Sequence, residues 1–496
     1  MSFLPWTIYI SFLGVVVLTL LPPDNARAAR IVALLTALLG LVCALGGVFQ
    51  VKTGAAVASL CKLAWIPALG IDYHLAADGI SLTLVMLTGI AAVVGILFSW
   101  NVEHRAKEFF AFYLALIGGV YGVFLSFDLF LLFVFYELAI IPKYFLVAIW
   151  GSTNREYGAM KLALYSFIGS AMVLIGLIAA FVVAGGKTMN LLELANYSFP
   201  AAFQYWAFPL VFVGFAILAG LWPFHTWAPT GHVAAPTAAS MLLAGVVMKL
   251  GAYGALRVAM TLFPLGLKAW QIPFGLLAVI GIVYGAMVAL VQSDFKFVIG
   301  YSSVSHMGFV LLGLMTINEI GLSGAVLQMF SHGIIAGLLF GVVGRMVYDR
   351  THTRELSALQ TMNLSKTMPY AAATFLIGGV ASMGLPGFSG FVAELQVLIG
   401  AWHAFPAFGI LAGLGIVIGV AYMLRTLQKS FFPDQEPWTT KTNHACEEIT
   451  VAERIGAAVL MGTTLLIGLY PRLLLDLIVP SFQSPLFDGL RKGAGL

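Results

Sequence analysis

The sequence is poor in charged residues. Asp, Glu, Lys and Arg make up 9% of its 496 residues, whereas an average soluble protein contains about 25%. So few charges cannot solvate the surface of a globular protein of this length. Soluble enzymes, disordered chains and nucleic-acid-binding proteins are therefore excluded. The formal net charge of +4 is small, so the positions of the basic residues matter more than their sum.

Cysteine is also scarce. Cys43, Cys61 and Cys446 show no CxxC or similar metal-binding spacing, and nothing in their placement suggests a disulfide framework. Apolar residues, in contrast, account for 61% of the chain. This composition predicts a polytopic membrane protein.

Apolar stretches long enough to cross a bilayer follow one another along the chain. A helix needs about 20 apolar residues to do so. The stretches lie near residues 4–21, 31–49, 80–100, 109–126, 129–150, 159–184, 205–227, 233–262, 270–291, 297–317, 320–348, 368–403, 405–431 and 455–478. The first lacks the charged segment and cleavage site of a signal peptide, so we expect it to be retained. We predict an all-α polytopic membrane protein with about fourteen transmembrane helices.

Basic residues are concentrated in every second loop. The odd loops, counted from the N-terminus, carry most of the loop Lys and Arg, whereas the even loops carry only four lysines. These four are Lys52, Lys62, Lys187 and Lys268. Because cytoplasmic loops are enriched in Lys and Arg, we predict that the odd loops are cytoplasmic and that both termini lie on the non-cytoplasmic side.

Five ionisable residues fall well inside the apolar stretches. They are Glu137, Lys249, His306, His332 and Glu394. A charged side chain at the bilayer centre costs about 2.5–3.5 kcal/mol on insertion scales, so each one needs a reason. Mixed Glu, Lys and His chains pass protons between neighbouring groups, and we interpret the five as such a chain. The alternative for each histidine is an ordinary residue of the protein core.

Two further acidic residues, Asp128 and Asp294, lie at the ends of apolar stretches. Asp is a preferred N-cap residue because its carboxylate accepts hydrogen bonds from the free N–H groups of the first helical turn. We predict that both residues cap helices.

Two stretches contain a high density of Pro and Gly, around Pro223 and around Pro386. Such residues leave backbone groups without helical partners, which is tolerated at membrane depth only beside protein-lined or hydrated cavities. Each interruption falls in the fourth span of a set of five, which predicts two inverted five-helix repeats, each with a broken helix. The predicted units are residues 1–107 (helices 1–3), 108–262 (first repeat), 263–432 (second repeat) and 433–496 (helix 14 and tail).

Several segments resemble the antiporter-like subunits of respiratory complex I, the NADH:quinone oxidoreductase. Residues 223–257, PFHTWAPTGHVAAPTAASMLLAGVVMKLGAYGALR, resemble the most characteristic segment of these subunits. Residues 293–313 and the segments around Glu137 and Glu394 match the same family, so the resemblance covers essentially the whole chain. An acidic residue at position 394 favours the M-type (NuoM-type) group, because the L- and N-type subunits and Mrp-type antiporter subunits usually carry lysine there.

The resemblance implies a membrane-arm subunit of a bacterial inner-membrane translocase. Such a subunit moves protons while electrons pass from NADH to quinone in other subunits. NAD, FMN, iron–sulfur clusters and quinone belong to those subunits, so no cofactor is expected in this chain. The implied partners are the L- and N-type antiporter-like subunits and the lipid bilayer.

The resemblance also implies a role for each of the five buried residues. Glu137 matches the acidic member of the ion pair at the entrance, and Lys249 matches the central lysine. His306 and His332 match the connecting histidines, and Glu394 matches the terminal acidic residue.

One position departs from the family pattern. A lysine is expected five residues before Pro223, and Leu218 stands there. Lys143 is a candidate replacement as the partner of Glu137, although six residues on a straight helix mean about 9 Å of rise and roughly 240° of rotation. The alternatives are that Lys143 extends to the membrane surface, that Lys161 is the partner, or that Glu137 is protonated and neutral and has no partner.

Two other functions remain open from the sequence. A subunit of an Mrp-type Na⁺/H⁺ antiporter or of a membrane-bound hydrogenase shares the same fold and relay. Leu218 could instead indicate a scaffold subunit that has lost transport. Glu137, Lys249 and Glu394 argue against that, because an idle scaffold gains nothing from intramembrane charges.

Overall fold

The computed structural model describes residues 2–23, 25–51, 57–432 and 447–494. The helices in these ranges are α1 (Leu4–Leu20), α2 (Ala26–Gln50), α3 (Gly79–Phe98), α4 (Ala106–Leu125), α5 (Leu129–Leu138), α6 (Ile140–Trp150), α7 (Arg155–Val183), α8 (Leu191–Ala195), α9 (Ala201–Ala219), α10 (Trp227–Ala234), α11 (Thr237–Met260), α12 (Pro264–Val291), α13 (Phe295–Met315), α14 (Glu319–Thr351), α15 (Leu356–Gln360), α16 (Leu364–Thr367), α17 (Pro369–Ser382), α18 (Ser389–Ala404), α19 (Pro406–Phe431), α20 (Val451–Leu469) and α21 (Arg472–Ser481). Two strands, β1 (Ala58–Ile66) and β2 (Ile71–Ala77), complete the set.

The predicted helical membrane fold is confirmed. Within the described ranges, 12 spans are long and apolar enough to cross a membrane, counting α5–α6 and α9–α10 as one span each. The shorter apolar helices α1 and α17 coincide with the two remaining predicted stretches. The inverted relation of the repeats and the limits of the four units stay predictions. Lys52 and Cys446 lie outside the described residues, as does part of the predicted C-terminal unit.

The antiparallel β1–β2 hairpin between α2 and α3 was not predicted from the sequence. Its turn needs Gly70, which has a φ of +59° and whose missing Cβ would lie 1.9 Å from the Lys187 carbonyl oxygen. In β2, His74 Nδ1 lies 3.0 Å from the side-chain nitrogen of Asn190. Burial lowers the pKa of His74, so the ring is neutral at pH 7. The hairpin is thus a small β element on an otherwise helical protein.

Both predicted helix caps are confirmed. The Asp128 carboxylate accepts hydrogen bonds from the first turn of α5, at 2.9 Å from Phe130 N and 3.0 Å from Leu131 N. Asp294 caps α13 in the same way, at 2.8 Å from Lys296 N. Both aspartates are therefore N-cap residues that stabilise the first turn of a helix.

Both predicted helix interruptions are confirmed, and a third is present. The helix α9 ends at Gly220, which has a φ of +85°, before the chain continues into α10. Between α17 and α18 the chain passes through Gly384 and Gly387, which also have positive φ. The third interruption separates α5 from α6, where Pro142 lacks the N–H that would bond to the carbonyl of Leu138. The straight helix assumed for residues 129–150 is therefore wrong.

Candidate functional site

Lys249 lies completely buried in the middle of α11. Its Nζ is 2.7 Å from His332 Nδ1 on α14 and also donates to the carbonyl oxygen of Ala244. Ala244 belongs to a π-helical turn, Leu243–Val247, in which the regular hydrogen-bond ladder is interrupted. Such turns frequently occur at functional sites, because they make backbone groups available to side chains. The ammonium group therefore has two partners deep inside the protein.

His332 connects Lys249 to a second histidine. The ring centroids of His332 and His306 are 5.5 Å apart, and the ring planes are inclined by 30°. His332 Nε2 has no hydrogen-bond partner among the described residues. The two rings are close, but no direct hydrogen bond joins them there.

His306 forms a close pair with Glu394. Its Nδ1 is 2.9 Å from Glu394 Oε1, and its Nε2 is 3.0 Å from the Ser382 hydroxyl oxygen. The break between α17 and α18 positions this pair, because Ser382 ends α17 and Glu394 lies in α18. A Cβ on Gly384 would lie 3.0 Å from Glu394 Oε2, so the glycine leaves room for the carboxylate.

A small cavity lies beside these side chains. Its wall includes both histidines, Glu394, Ser382 and Gln328, and about 10 Å³ is open to the centres of water molecules. That space holds about one water. The structure thus places four side chains one after another in space, in the order Lys249, His332, His306 and Glu394. We call these four residues the central row.

Glu137 and Lys143 lie away from the central row, on both sides of the break between α5 and α6. The Lys143 side chain is 1% exposed, and its Nζ donates to the Ser166 hydroxyl oxygen at 3.0 Å. The alternative that it extends to the membrane surface is therefore wrong. Glu137 interacts with the Ser170 hydroxyl and, electrostatically, with Lys143. Because Ser166 and Ser170 are one turn apart on α7, the two charged groups approach the same helix face.

The other candidate residues near Glu137 differ in position. Lys161 Nζ lies 3.3 Å from the Thr230 hydroxyl oxygen and so points to the broken span. Leu218 is buried in α9, one turn after Phe215, whose ring contacts Tyr136 at a centroid distance of 5.6 Å. The position of the missing lysine therefore lies on the helix that packs against α5 at Tyr136, and an apolar side chain occupies it.

Several buried ion pairs were not predicted from the sequence. Arg257 donates to both carboxylate oxygens of Asp78 at 2.6 Å, with both side chains buried. Glu453 accepts from Arg345 at 2.6 Å and from Arg350 at 2.8 Å. Two of the arginines, at positions 257 and 345, lie inside predicted spans. A charged residue inside a span indicates a buried partner of opposite charge, so both pairs could have been found in the sequence. These paired charges join α11 to α3 and α14 to α20, and breaking such a pair costs about 3–5 kcal/mol.

Three of the apolar membrane spans are broken, and one of the breaks adjoins a row of buried titratable groups. Such an arrangement is typical of ion-translocating membrane proteins. Comparison with known proteins makes this assignment specific. Residues 126–419 match the family model described as NADH:quinone oxidoreductase/Mrp antiporter, TM. The chain belongs to this family.

Similar proteins agree with the family assignment. The chain is 39% identical over 431 residues to NADH-quinone oxidoreductase subunit M of Rhodobacter capsulatus, covering 84% of this chain and 82% of the relative. It is 36% identical to subunit M of Pseudomonas aeruginosa, covering 97% of each protein.

Solved structures share the fold along nearly the whole chain. A chain of respiratory complex I from Thermus thermophilus matches with a TM-score of 0.88 and 28% identity, covering 99% of this chain and 100% of that one. A chain of the Mrp complex from Dietzia sp. matches with a TM-score of 0.86, covering 100% of both chains. At 22% identity, this second likeness indicates the fold alone.

Proposed function

We propose that this chain is the M-type proton-translocating subunit in the membrane arm of a bacterial NADH:quinone oxidoreductase. The relatives named subunit M support the type of complex, and the central row supports proton movement. NADH oxidation and quinone reduction take place in other subunits, so this chain needs no cofactor. Its partners are the L- and N-type subunits, and the odd loops face the cytoplasm with both termini on the opposite side of the inner membrane.

The central row carries this proposal because its groups can exchange protons in order. The ammonium of Lys249 can release a proton to the adjacent His332 Nδ1. Since an imidazole ring has two nitrogens, it can take a proton on one and release another from the second. One water in the cavity can bridge the two rings, and His306 then passes the proton to Glu394. Each transfer breaks one N–H or O–H bond and forms another, and no redox group takes part.

Glu137 and Lys143 provide the charge pair near the start of the pathway. The pair replaces the ion pair of related subunits, in which the cation comes from the position of Leu218. Lys143 contacts Ser166 and Glu137 contacts Ser170, one turn farther along α7. The attraction between the two charged groups is therefore weaker than in a direct ion pair.

Replacing His332 with Leu is expected to reduce coupled proton uptake about tenfold, because it removes the group between Lys249 and His306. The measurement is proton uptake per NADH oxidised by the whole complex in vesicles. Since His403 lies exposed at the end of α18, His403→Leu is the matched control and should behave as the unmodified protein. Normal uptake by an assembled His332→Leu complex would remove the observation on which the proposed function depends.

Replacing Lys143 with Met is expected to slow proton uptake about fivefold, which corresponds to about 1 kcal/mol of lost electrostatic stabilisation at Glu137. Adding Leu218→Lys should restore part of the rate, because related subunits carry the cationic partner of the glutamate at that position. The same vesicle assay compares the single variant, the double variant and Lys161→Met. If Lys161→Met slows uptake and Lys143→Met does not, Lys161 is the partner of Glu137.

A further inference from the structure

Each histidine of the central row has one nitrogen occupied by an ionisable partner. His332 Nδ1 lies 2.7 Å from Lys249 Nζ, and His306 Nδ1 lies 2.9 Å from Glu394 Oε1. An imidazole ring exchanges protons at its two nitrogens. A proton that passes through both rings therefore leaves His332 at Nε2 and enters His306 at Nε2.

The Ser382 hydroxyl lies at the nitrogen that receives this proton. Its Oγ is 3.0 Å from His306 Nε2, and the side chain is buried at the end of α17. Ser382 also belongs to the wall of the small cavity, as does His332, whose Nε2 has no partner among the described residues. Ser382 thus contacts both the receiving nitrogen and the space that holds about one water.

Two further buried hydroxyls adjoin Ser382. The Tyr422 hydroxyl on α19 interacts with that of Ser382 and lies 2.7 Å from Ser302 Oγ. Ser302 precedes His306 by one turn of α13. A hydroxyl carries one hydrogen and two lone pairs. When the hydrogen bonds run from Ser302 through Tyr422 to Ser382, the Ser382 hydrogen stays free for the ring nitrogen.

We propose that the Ser382 hydroxyl relays protons from water in the cavity to His306 Nε2. Tyr422 and Ser302 are positioning residues, because their hydroxyls direct the Ser382 hydrogen toward that nitrogen. This inference rests on the proposed function and adds a neutral side chain to a pathway of ionisable ones.

The relay consists of linked proton transfers. Water in the cavity accepts a proton from His332 Nε2 and gives one to the Ser382 oxygen, while Ser382 gives its own hydrogen to His306 Nε2. His306 then releases the hydrogen on Nδ1 to Glu394. Each transfer breaks one N–H or O–H bond and forms another, so the water and the serine both regain their original number of hydrogens.

The decisive comparison is between Ser382→Thr and Ser382→Val. Threonine keeps the hydroxyl, whereas valine has the same branched shape with a methyl group in its place. We expect proton uptake per NADH oxidised by the whole complex in vesicles to fall about tenfold or more in Ser382→Val. Ser382→Thr should keep most of the uptake. Normal uptake by both variants would overturn the proposal, because a methyl group neither accepts nor donates a proton.

Ser382→Ala separates the loss of the hydroxyl from a packing effect of the added methyl group. We expect a fall of about tenfold here too. Ser305→Ala is the matched control and should pump normally, because Ser305 is buried and its hydroxyl donates to the Ile282 carbonyl oxygen at 2.8 Å. If the Thr and Val variants are equally impaired, Ser382→Ala decides, and uptake equal to that of the control would overturn the proposal.

Replacing Tyr422 with Phe keeps the ring and removes the hydroxyl. We expect uptake to fall about threefold, because one orienting hydrogen bond is lost. The same change added to Ser382→Val should have no further effect, since Tyr422 acts through Ser382. Tyr113→Phe is the control, because the buried Tyr113 hydroxyl donates to backbone carbonyls at 3.1 and 3.2 Å. A further loss in the double variant would overturn the positioning role.

Lys249→Met separates this inference from the proposed function. If Lys249→Met blocks uptake while every Ser382 variant pumps normally, the relay through Ser382 is wrong and the proposed function stands. If none of these substitutions changes uptake, the proposed function itself fails.

Discussion

Replacing Lys249 with Met is expected to reduce coupled proton uptake about a hundredfold while the complex still assembles. Methionine has nearly the same length and is apolar, so it fills the same buried space. It removes the amine that lies 2.7 Å from His332 and donates to the Ala244 carbonyl. No other group in the central row can replace this amine, because the remaining members lie beyond His332.

The measurement is proton uptake into vesicles per NADH oxidised, with the electron-transfer rate recorded separately after adding an uncoupler. Lys268→Met is the matched control, because Lys268 is exposed near the start of α12 and the substitution is the same. An assembled Lys249→Met complex that pumps at the normal ratio would show that Lys249 is not part of the pathway.

Replacing Glu394 with Gln is expected to have an effect of similar size, about a hundredfold. The amide can still form a hydrogen bond with His306, whose Nδ1 lies 2.9 Å from the carboxylate, but it cannot accept a proton and release it again. Glu394→Asp should keep part of the activity, since the carboxylate remains but stands farther from the ring.

The two Glu394 variants separate proton exchange from structure. If the carboxylate only holds α18 against α13, Gln should be tolerated better than Asp, because it preserves the length of the side chain. If the carboxylate exchanges protons, Asp should be tolerated better. Glu156→Gln, an exposed position in the first turn of α7, should leave uptake unchanged.

Most members of the candidate site are identifiable in the sequence because a membrane makes them conspicuous. Glu137, Lys249 and Glu394 interrupt long apolar stretches. A charged group there costs about 2.5–3.5 kcal/mol on insertion scales, so its presence indicates a function. Their roles came from the resemblance to the complex I subunits, since the position of a charge within a span does not specify what it contacts.

Some errors came from treating each span as a regular helix. The assumed rotation between Glu137 and Lys143 does not apply, because the helix is interrupted at Ala139. The hairpin between α2 and α3 was also missed, because neither strand alternates regularly between buried and exposed positions: β1 is largely exposed and β2 is largely buried.

The sequence by itself determined the membrane spans, the two predicted breaks and the rare titratable groups. The length of an apolar stretch and the positions of its Pro and Gly residues act locally. One stretch of chain therefore contains the information that specifies a membrane span or a break in it. Only the tertiary structure decided which groups meet: Lys249 with His332, and His306 with Glu394. The members of each pair are more than eighty residues apart in the sequence. Their contacts depend on how four helices pack and on where the break before α18 turns the chain, and no local pattern contains that information.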